Sequence, residues 1–334
     1  MKNYINNLFK LPGISFIFIC NLKYQKRFLQ KTLIADIDES RKTNDGSLDE
    51  RDFNKMTDYY GYAVPAILGE SYCLLRGKKL SSDERLALTC LGGLTGLFDD
   101  FFDKKILPES YIRDLVENPE MQNGNDSNER LFLKLYRKAL DHSANADTLK
   151  KTFLKVFEAQ VLSKKQISPD IKRKEIEEIT FFKGGISLLF YRSIFMDNMS
   201  EEEEMLFYKL GSVMQLENDI FDVYKDYNDA VKTLVTTEKH IDTLRKEYGS
   251  LSSEIIDLAG KTDFPEKNIR KFLRIVMLVI CRGFVCLDRL KKNEKTTDDE
   301  FSVESYNRKD LICDMEKPVN FFKTINYYAG YKLN

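Results

Sequence analysis

Ser81-Ser-Asp-Glu-Arg-Leu-Ala-Leu-Thr-Cys-Leu-Gly-Gly-Leu-Thr-Gly-Leu-Phe-Asp99-Asp100-Phe-Phe-Asp103 is the stretch from which the fold class is read. Ser81-Ser82-Asp83-Glu84 is a helix N-terminal signal, with a hydroxyl followed three residues later by a glutamate. Apolar residues then recur at three- and four-residue spacing up to the acids. Carboxylates on so apolar a helix are expensive, so they either protonate or gather cations. Asp99 and Asp103 are four apart and share one helix face, about 6 Å apart along the axis. Asp100 is turned about 100° away, where it lines the rim or supports its neighbours.

A second polar run lies 119 residues downstream, at Gln215-Leu-Glu-Asn218-Asp219-Ile-Phe-Asp222-Val-Tyr-Lys-Asp226. On one helix Asn218, Asp222 and Asp226 stand at i, i+4 and i+8, a stripe about 12 Å long. Gln215 adds a polar group one turn earlier on the same face. An amide and two carboxylates so spaced can chelate one hard divalent cation. Either run alone also reads as a solvated acidic face; two such runs in one helical chain form a far more specific pattern.

The helical period holds almost everywhere after about residue 51, and polar breaks at 118–128, 141–147, 168–170, 197–203, 262–266 and 291–300 divide it. Seven prolines and sixteen glycines in 334 residues leave few breakers. The expectation is an all-α bundle of about ten or more helices, several of them well above the mean length. Residues 51–334 form its single large domain, and residues 1–50 a cap or extension.

Fifty-two basic and 53 acidic residues are interspersed, which gives no electrostatic footprint for nucleic acid. Six scattered cysteines without a CxxC pair suit a reduced, cytoplasmic protein. His142 and His240 are the only histidines, so any metal is expected on oxygen ligands. The apolar run Ile14–Cys20 is too short to span a bilayer and lacks a cleavage site. It reads either as a first helix or strand on the core, or as a shallow interfacial anchor giving peripheral membrane contact.

The two acidic runs resemble those of the class I isoprenoid synthases: terpene cyclases, trans-prenyl diphosphate synthases and squalene/phytoene synthases. Asp99-Asp100-Phe-Phe-Asp103 is similar to their first aspartate-rich motif, and Gly211 to Asp226 to their second. The order, separation and chain length agree, so the likeness covers roughly residues 51–330. It implies a helical bundle around a central apolar cavity, with three Mg²⁺ ions holding the diphosphate of a prenyl substrate. Asp99 and Asp103, with Asp100 beside them, would bind two ions; Asn218, Asp222 and Asp226, with Asp219, would bind the third.

The same likeness implies diphosphate contacts from Lys183, within Phe181-Phe-Lys-Gly184-Gly185, and from Arg192, Gln215, Arg308 and Lys309. In the family, the glycine pair would mark a broken helix lining the pocket. Without the family, it reads as a close helix crossing or a kink. Phe98, Phe102, Phe181, Phe190, Tyr191 and Phe221 are either plain core or cation–π surface.

Elongating enzymes carry an early Gly-Lys-x-x-Arg stretch and an Arg pair after the first motif. Here Gly77-Lys78-Lys79 lies too near Asp99, and only Lys104-Lys105 and a lone Arg113 follow. A terpene synthase acting on one allylic diphosphate is therefore the leading expectation. Chain elongation and head-to-head condensation are the alternatives within the family. A non-catalytic helical scaffold or binding protein is the alternative outside it. Chain length of the substrate, product skeleton and the choice between monomer and homodimer are left open.

Overall fold

Helix follows helix along the whole chain. The computed structural model describes residues 2–195 and 198–333. It is 78% helical, with no strand among the described residues, and it has more than ten helices, as the periodicity implies. Two compact units are distinguished. One comprises Met1–Pro12, Leu162–Leu189 and Met199–Asn334; the other comprises Gly13–Val161 and Phe190–Asn198.

In the second of these, the helix Ser82–Asp103 carries the first acidic run. Its start is the expected capping box: the Ser81 hydroxyl accepts from the Glu84 amide at 3.1 Å, and the Glu84 carboxylate accepts from the Ser81 amide at 2.8 Å. Arg76 ties the same carboxylate from the preceding helical run, Glu50–Arg76, which contains π-turns at Lys55–Tyr59 and Val64–Gly69. This run lies so close that a Cβ on Gly92 would meet the Tyr60 carbonyl oxygen at 2.5 Å. The inward face of Ser82–Asp103 packs on Ser127–His142 through rings, with Phe101 and Phe132 centred 5.0 Å apart, and Phe98 meets Phe153 of the helix Ala146–Ser163 at 4.8 Å.

In the other unit, the helix Glu201–Phe221 carries the second run. Ser200 caps it, and four glutamates in its first turn complement the positive end of the helix dipole. Ile241–Lys261 and Glu266–Glu294 pack beside it, and Tyr248, fully buried, donates to the Ile280 carbonyl at 2.8 Å.

Two expectations need correction. First, Gly184-Gly185 does not break its helix, because Arg173–Arg192 runs through the pair without interruption. The glycines serve a close crossing instead. A Cβ on Gly184 would sit 2.2 Å from the Gly211 carbonyl oxygen, and one on Gly211 the same distance from the Gly184 oxygen. Second, the run Ile14–Cys20 is not a short isolated segment. It belongs to a helix, Lys2–Thr32, whose stretch Asn3–Thr32 is long and apolar enough to cross a membrane by length and composition. Of the six cysteines, all free, five are buried and Cys20 is exposed.

The crossing makes a stability prediction. Gly184→Ala forces two backbones apart and lowers unfolding free energy by about 1–3 kcal/mol in urea titrations. Gly260→Ala, at a helical position with nothing within 4 Å of the added methyl, is neutral or stabilising by a few tenths of a kcal/mol. Equal effects at the two sites would remove the crossing from the account.

Candidate functional site

The first acidic run divides its carboxylates by direction, as a 100° step per residue requires. Asp99 is half-buried and accepts a hydrogen bond from the Gln160 amide. Beside it stands Tyr191, whose hydroxyl is 2.7 Å from that of Thr95, one turn before Asp99. Burial first, and then the charge of Asp99, push the Tyr191 phenol up to about 12, so this hydroxyl stays protonated. Asp103, at the C-terminal end of the helix, is exposed.

Asp100 points elsewhere. It is buried against Lys104 at 2.9 Å and Lys55 at 3.7 Å, and Lys104 also binds Asp52 at 2.8 Å. Burial raises its pKa above the ordinary carboxylate value, the Lys104 hydrogen bond opposes this, and the Asp52 charge adds to it. Lys55 reaches this place because Gly96 leaves room for it; a Cβ there would meet the Lys55 Cδ at 2.9 Å. Asp100 thus joins a two-lysine, two-aspartate cluster that fastens the end of its helix to Glu50–Arg76.

The second run is not one uninterrupted helix, which corrects the single-helix stripe. Glu201–Phe221 ends at Asp222, and Val223–Asn228 begins anew. The four-residue register nevertheless survives: the Asp222 amide donates to Asn218 at 2.8 Å and the Asp226 amide to Asp222 at 2.9 Å. The Asn218 side-chain amide, exposed, donates to the Asp222 carboxylate at 3.3 Å. Asp222 and Asp226 are half-buried.

Asp219 turns inward, where Gln215 donates to one of its oxygens at 2.9 Å and Thr180 to the other at 3.2 Å. Burial raises the Asp219 pKa to about 6, against the lowering effects of Gln215, Lys183 and Thr180. Burial raises Asp226 further, to about 7, and the charges of Asp219 and Asp222 add to it. Asp222 is raised by burial as well. The charge of Lys183 lowers both Asp219 and Asp226. Asp222 and Asp226, with the Asn218 amide beside them, form an oxygen donor set with a deficit of positive charge. Hard divalent cations suit such a set.

The remaining predicted contacts divide. Gln215 and Lys183 stand with the second run. Arg308 and Lys309 are exposed on a short helix, Arg308–Leu311, which packs beside Val223–Asn228, the helix that bears Asp226. Arg192 is buried, with its guanidinium 4.4 Å from the centre of the Tyr72 ring, so its flat face is taken by an aromatic stack. Of the six aromatic candidates, Phe98 and Phe190 are core; Phe102, Phe181, Tyr191 and Phe221 are partly exposed.

Gln160 and Thr180 escaped the sequence reading, since a glutamine 61 residues from Asp99 and a threonine 39 from Asp219 leave no local signal. Tyr191 was noted only as a possible ring surface, not for its hydroxyl. Thr95, a turn before Asp99 on the same helix, could have been found by spacing. Among the described residues, no three His, Cys, Asp or Glu side chains converge as the ligands of one ion. The chain matches no protein-family model, and no curated protein matches it in sequence.

The pKa directions fix a pH dependence for the metal-free protein. Folded Asp226 and Asp219 hold protons that the unfolded chain has released above its ordinary value of 3.8. Stability therefore falls as pH rises from about 4 through 7. In EDTA, Asp226→Asn flattens that slope and is more stable than the parent at pH 8, by roughly 1–3 kcal/mol in urea titrations. A parent whose stability instead rises through this window contradicts the crowding of these carboxylates.

Proposed function

We propose that the protein is a class I isoprenoid synthase that ionises an allylic prenyl diphosphate and converts it, as a single substrate, to a terpene hydrocarbon or alcohol. The observation that carries the reading is the second acidic run. Asn218, Asp222 and Asp226 keep helical register beside the cation of Lys183, and their carboxylates repel one another until positive charge is supplied.

In this reading Asn218, Asp222 and Asp226 would hold one Mg²⁺, and Asp99 with Asp103 would hold two more. Divalent ions neutralise charge as it grows on a departing diphosphate. Lys183 would supply an ammonium for a diphosphate oxygen, and Arg308 and Lys309 are exposed on the short helix packed beside that of Asp226. Gln215 and Thr180 act as positioning residues, because their donors hold Asp219 in place and spare it for charge balance. Gln160 does the same for Asp99. Asp100 is assigned to the lysine cluster, where it orients the end of its helix. The partly exposed rings of Phe102 and Tyr191 offer an apolar, water-excluding surface beside Asp99.

A non-catalytic helical scaffold is the second reading. It is favoured by the absence of a three-carboxylate cluster among the described residues. The two readings part in one assay. Purified protein is incubated with Mg²⁺ and geranyl, farnesyl or geranylgeranyl diphosphate, each with and without isopentenyl diphosphate. The expected product is a hydrocarbon or alcohol from one allylic substrate alone. Longer diphosphates formed only with isopentenyl diphosphate move the assignment to elongation. Inertness, without Mg²⁺-dependent binding of any of the diphosphates, leaves the scaffold.

The residues separate in the same way. Asp99→Ala and Asn218→Ala each lower turnover by roughly 100-fold or more with unchanged helical content. Asp100→Ala acts first on stability, since it removes one of the carboxylates shared by Lys104 and Lys55, and lowers the thermal midpoint by several degrees. If Asp99→Ala and Asn218→Ala unfold the protein instead, both acidic runs are structural.

A further inference from the structure

We infer that the helix segment Gly13–Thr32 docks the protein onto the surface of an anionic lipid bilayer without crossing it. This goes beyond the proposed reaction and does not depend on it.

The segment has two unlike sides. Ile14, Gln25 and Leu29 are buried, while Phe16 is 68% exposed, Ile19 50% and Tyr24 58%. Phe16, Cys20, Lys23 and Arg27 stand at i, i+4, i+7 and i+11, one line down the outward face, opposite Gln25. The apolar turns come first on that line and the basic turns follow. Over the most apolar eighteen residues of the helix only 11% is buried, whereas a core helix of similar composition would be mostly enclosed.

Charge selects the occupant of this face. Lys2, Lys10, Lys23, Lys26, Arg27 and Lys31 are the only ionisable side chains besides Tyr4, Cys20 and Tyr24 before Asp36, so no acid offsets them. A basic helix with aromatic and aliphatic wedges fits negatively charged headgroups over an acyl interior. A second protein surface would have to supply both a greasy patch and a run of acids, whereas an anionic bilayer presents both along its whole extent.

The buried side argues for lying on the bilayer rather than spanning it. Gln25 donates to the Gly61 carbonyl at 3.1 Å and to the Thr89 hydroxyl at 2.9 Å, and it accepts from Arg85 at 3.0 Å. Insertion across a membrane would strip all three bonds, leaving the Gln25 amide without partners in lipid and taking one partner from Arg85, which keeps Glu70. With them kept, only the outward face meets lipid.

The test is flotation of the full chain with phosphatidylcholine vesicles, with and without phosphatidylglycerol. Binding is expected with the anionic vesicles, weakening as salt rises. Lys23→Glu/Arg27→Glu and, separately, Phe16→Ser/Ile19→Ser each raise the half-saturating lipid concentration at least about tenfold, with unchanged circular dichroism and thermal midpoint. Alkaline carbonate is expected to release the bound protein. The proposal is overturned by no flotation, by variants that float like the parent, or by carbonate-resistant insertion. It also falls if light scattering shows a dimer that Phe16→Ser/Ile19→Ser dissolves, or if protein from its natural source lacks this helix by mass.

Discussion

The contact between the backbones of Gly184 and Gly211 is the constraint on which the second acidic run depends. Neither position has room for a Cβ, and the two carbonyl oxygens occupy the space where side chains would begin. At this distance, residues one or two turns from the crossing reach groups that an ordinary helix pair would hold too far away. Thr180, four residues before Gly184, bonds Asp219, eight residues after Gly211. The charge of Lys183 then lowers Asp219 and Asp226 against the upward push of burial. A backbone fact thereby becomes an electrostatic one.

The first run is supported by the same device. Gly92 and Gly96 admit the neighbouring helical run, and with it Lys55, to the back of the helix that ends in Asp103. In each run one carboxylate, a 100° step from its neighbours, is spent on the fold: Asp100 on lysines, Asp219 on an amide and a hydroxyl. The others, Asp99 and Asp103 in one case and Asp222 and Asp226 in the other, remain at least partly open. Helical geometry therefore sorts a run of acids into anchors and donors without any further instruction.

The period of the apolar residues made the helical class legible, and Ser81 with Glu84 marked a helix start that the structure bears out. The inward turn of Asp100 was readable as an angle. Its two lysine partners were not, because Lys55 arrives from another helical segment through a gap left by Gly96. The glycine pair illustrates the limit most clearly. Two glycines signal low helix propensity, about 2 kcal/mol below alanine, and a break was a fair expectation. Packing overrode the propensity, because the missing side chains were needed for an approach rather than for a turn. The N-terminal apolar run was misjudged for a related reason. Counted alone it is short, but helix continues on both sides of it through Lys10 and Lys23, whose long stems do not interrupt an apolar surface.

The pairing of the open carboxylates bears on which ligand chemistry suits the two runs. A hard cation held by protein alone takes about six oxygens, and a store for such ions would gather carboxylates around one point. Mg²⁺ that keeps several waters and shares phosphate oxygens needs only one or two carboxylates from the protein. Pairs such as Asp99 with Asp103, or Asp222 with Asp226 and the Asn218 amide, match the second requirement better than the first. The charge balance points the same way. Asp219, Asp222 and Asp226 already repel one another with Lys183 in attendance, so a bare polyanion brought to them would only add to the repulsion. A diphosphate and these carboxylates are compatible when divalent ions stand between them, and each is then the other's reason for binding. In the proposed reading, metal and substrate are therefore expected to bind together, each weakly alone, because neither half of the ligand set is complete without the other.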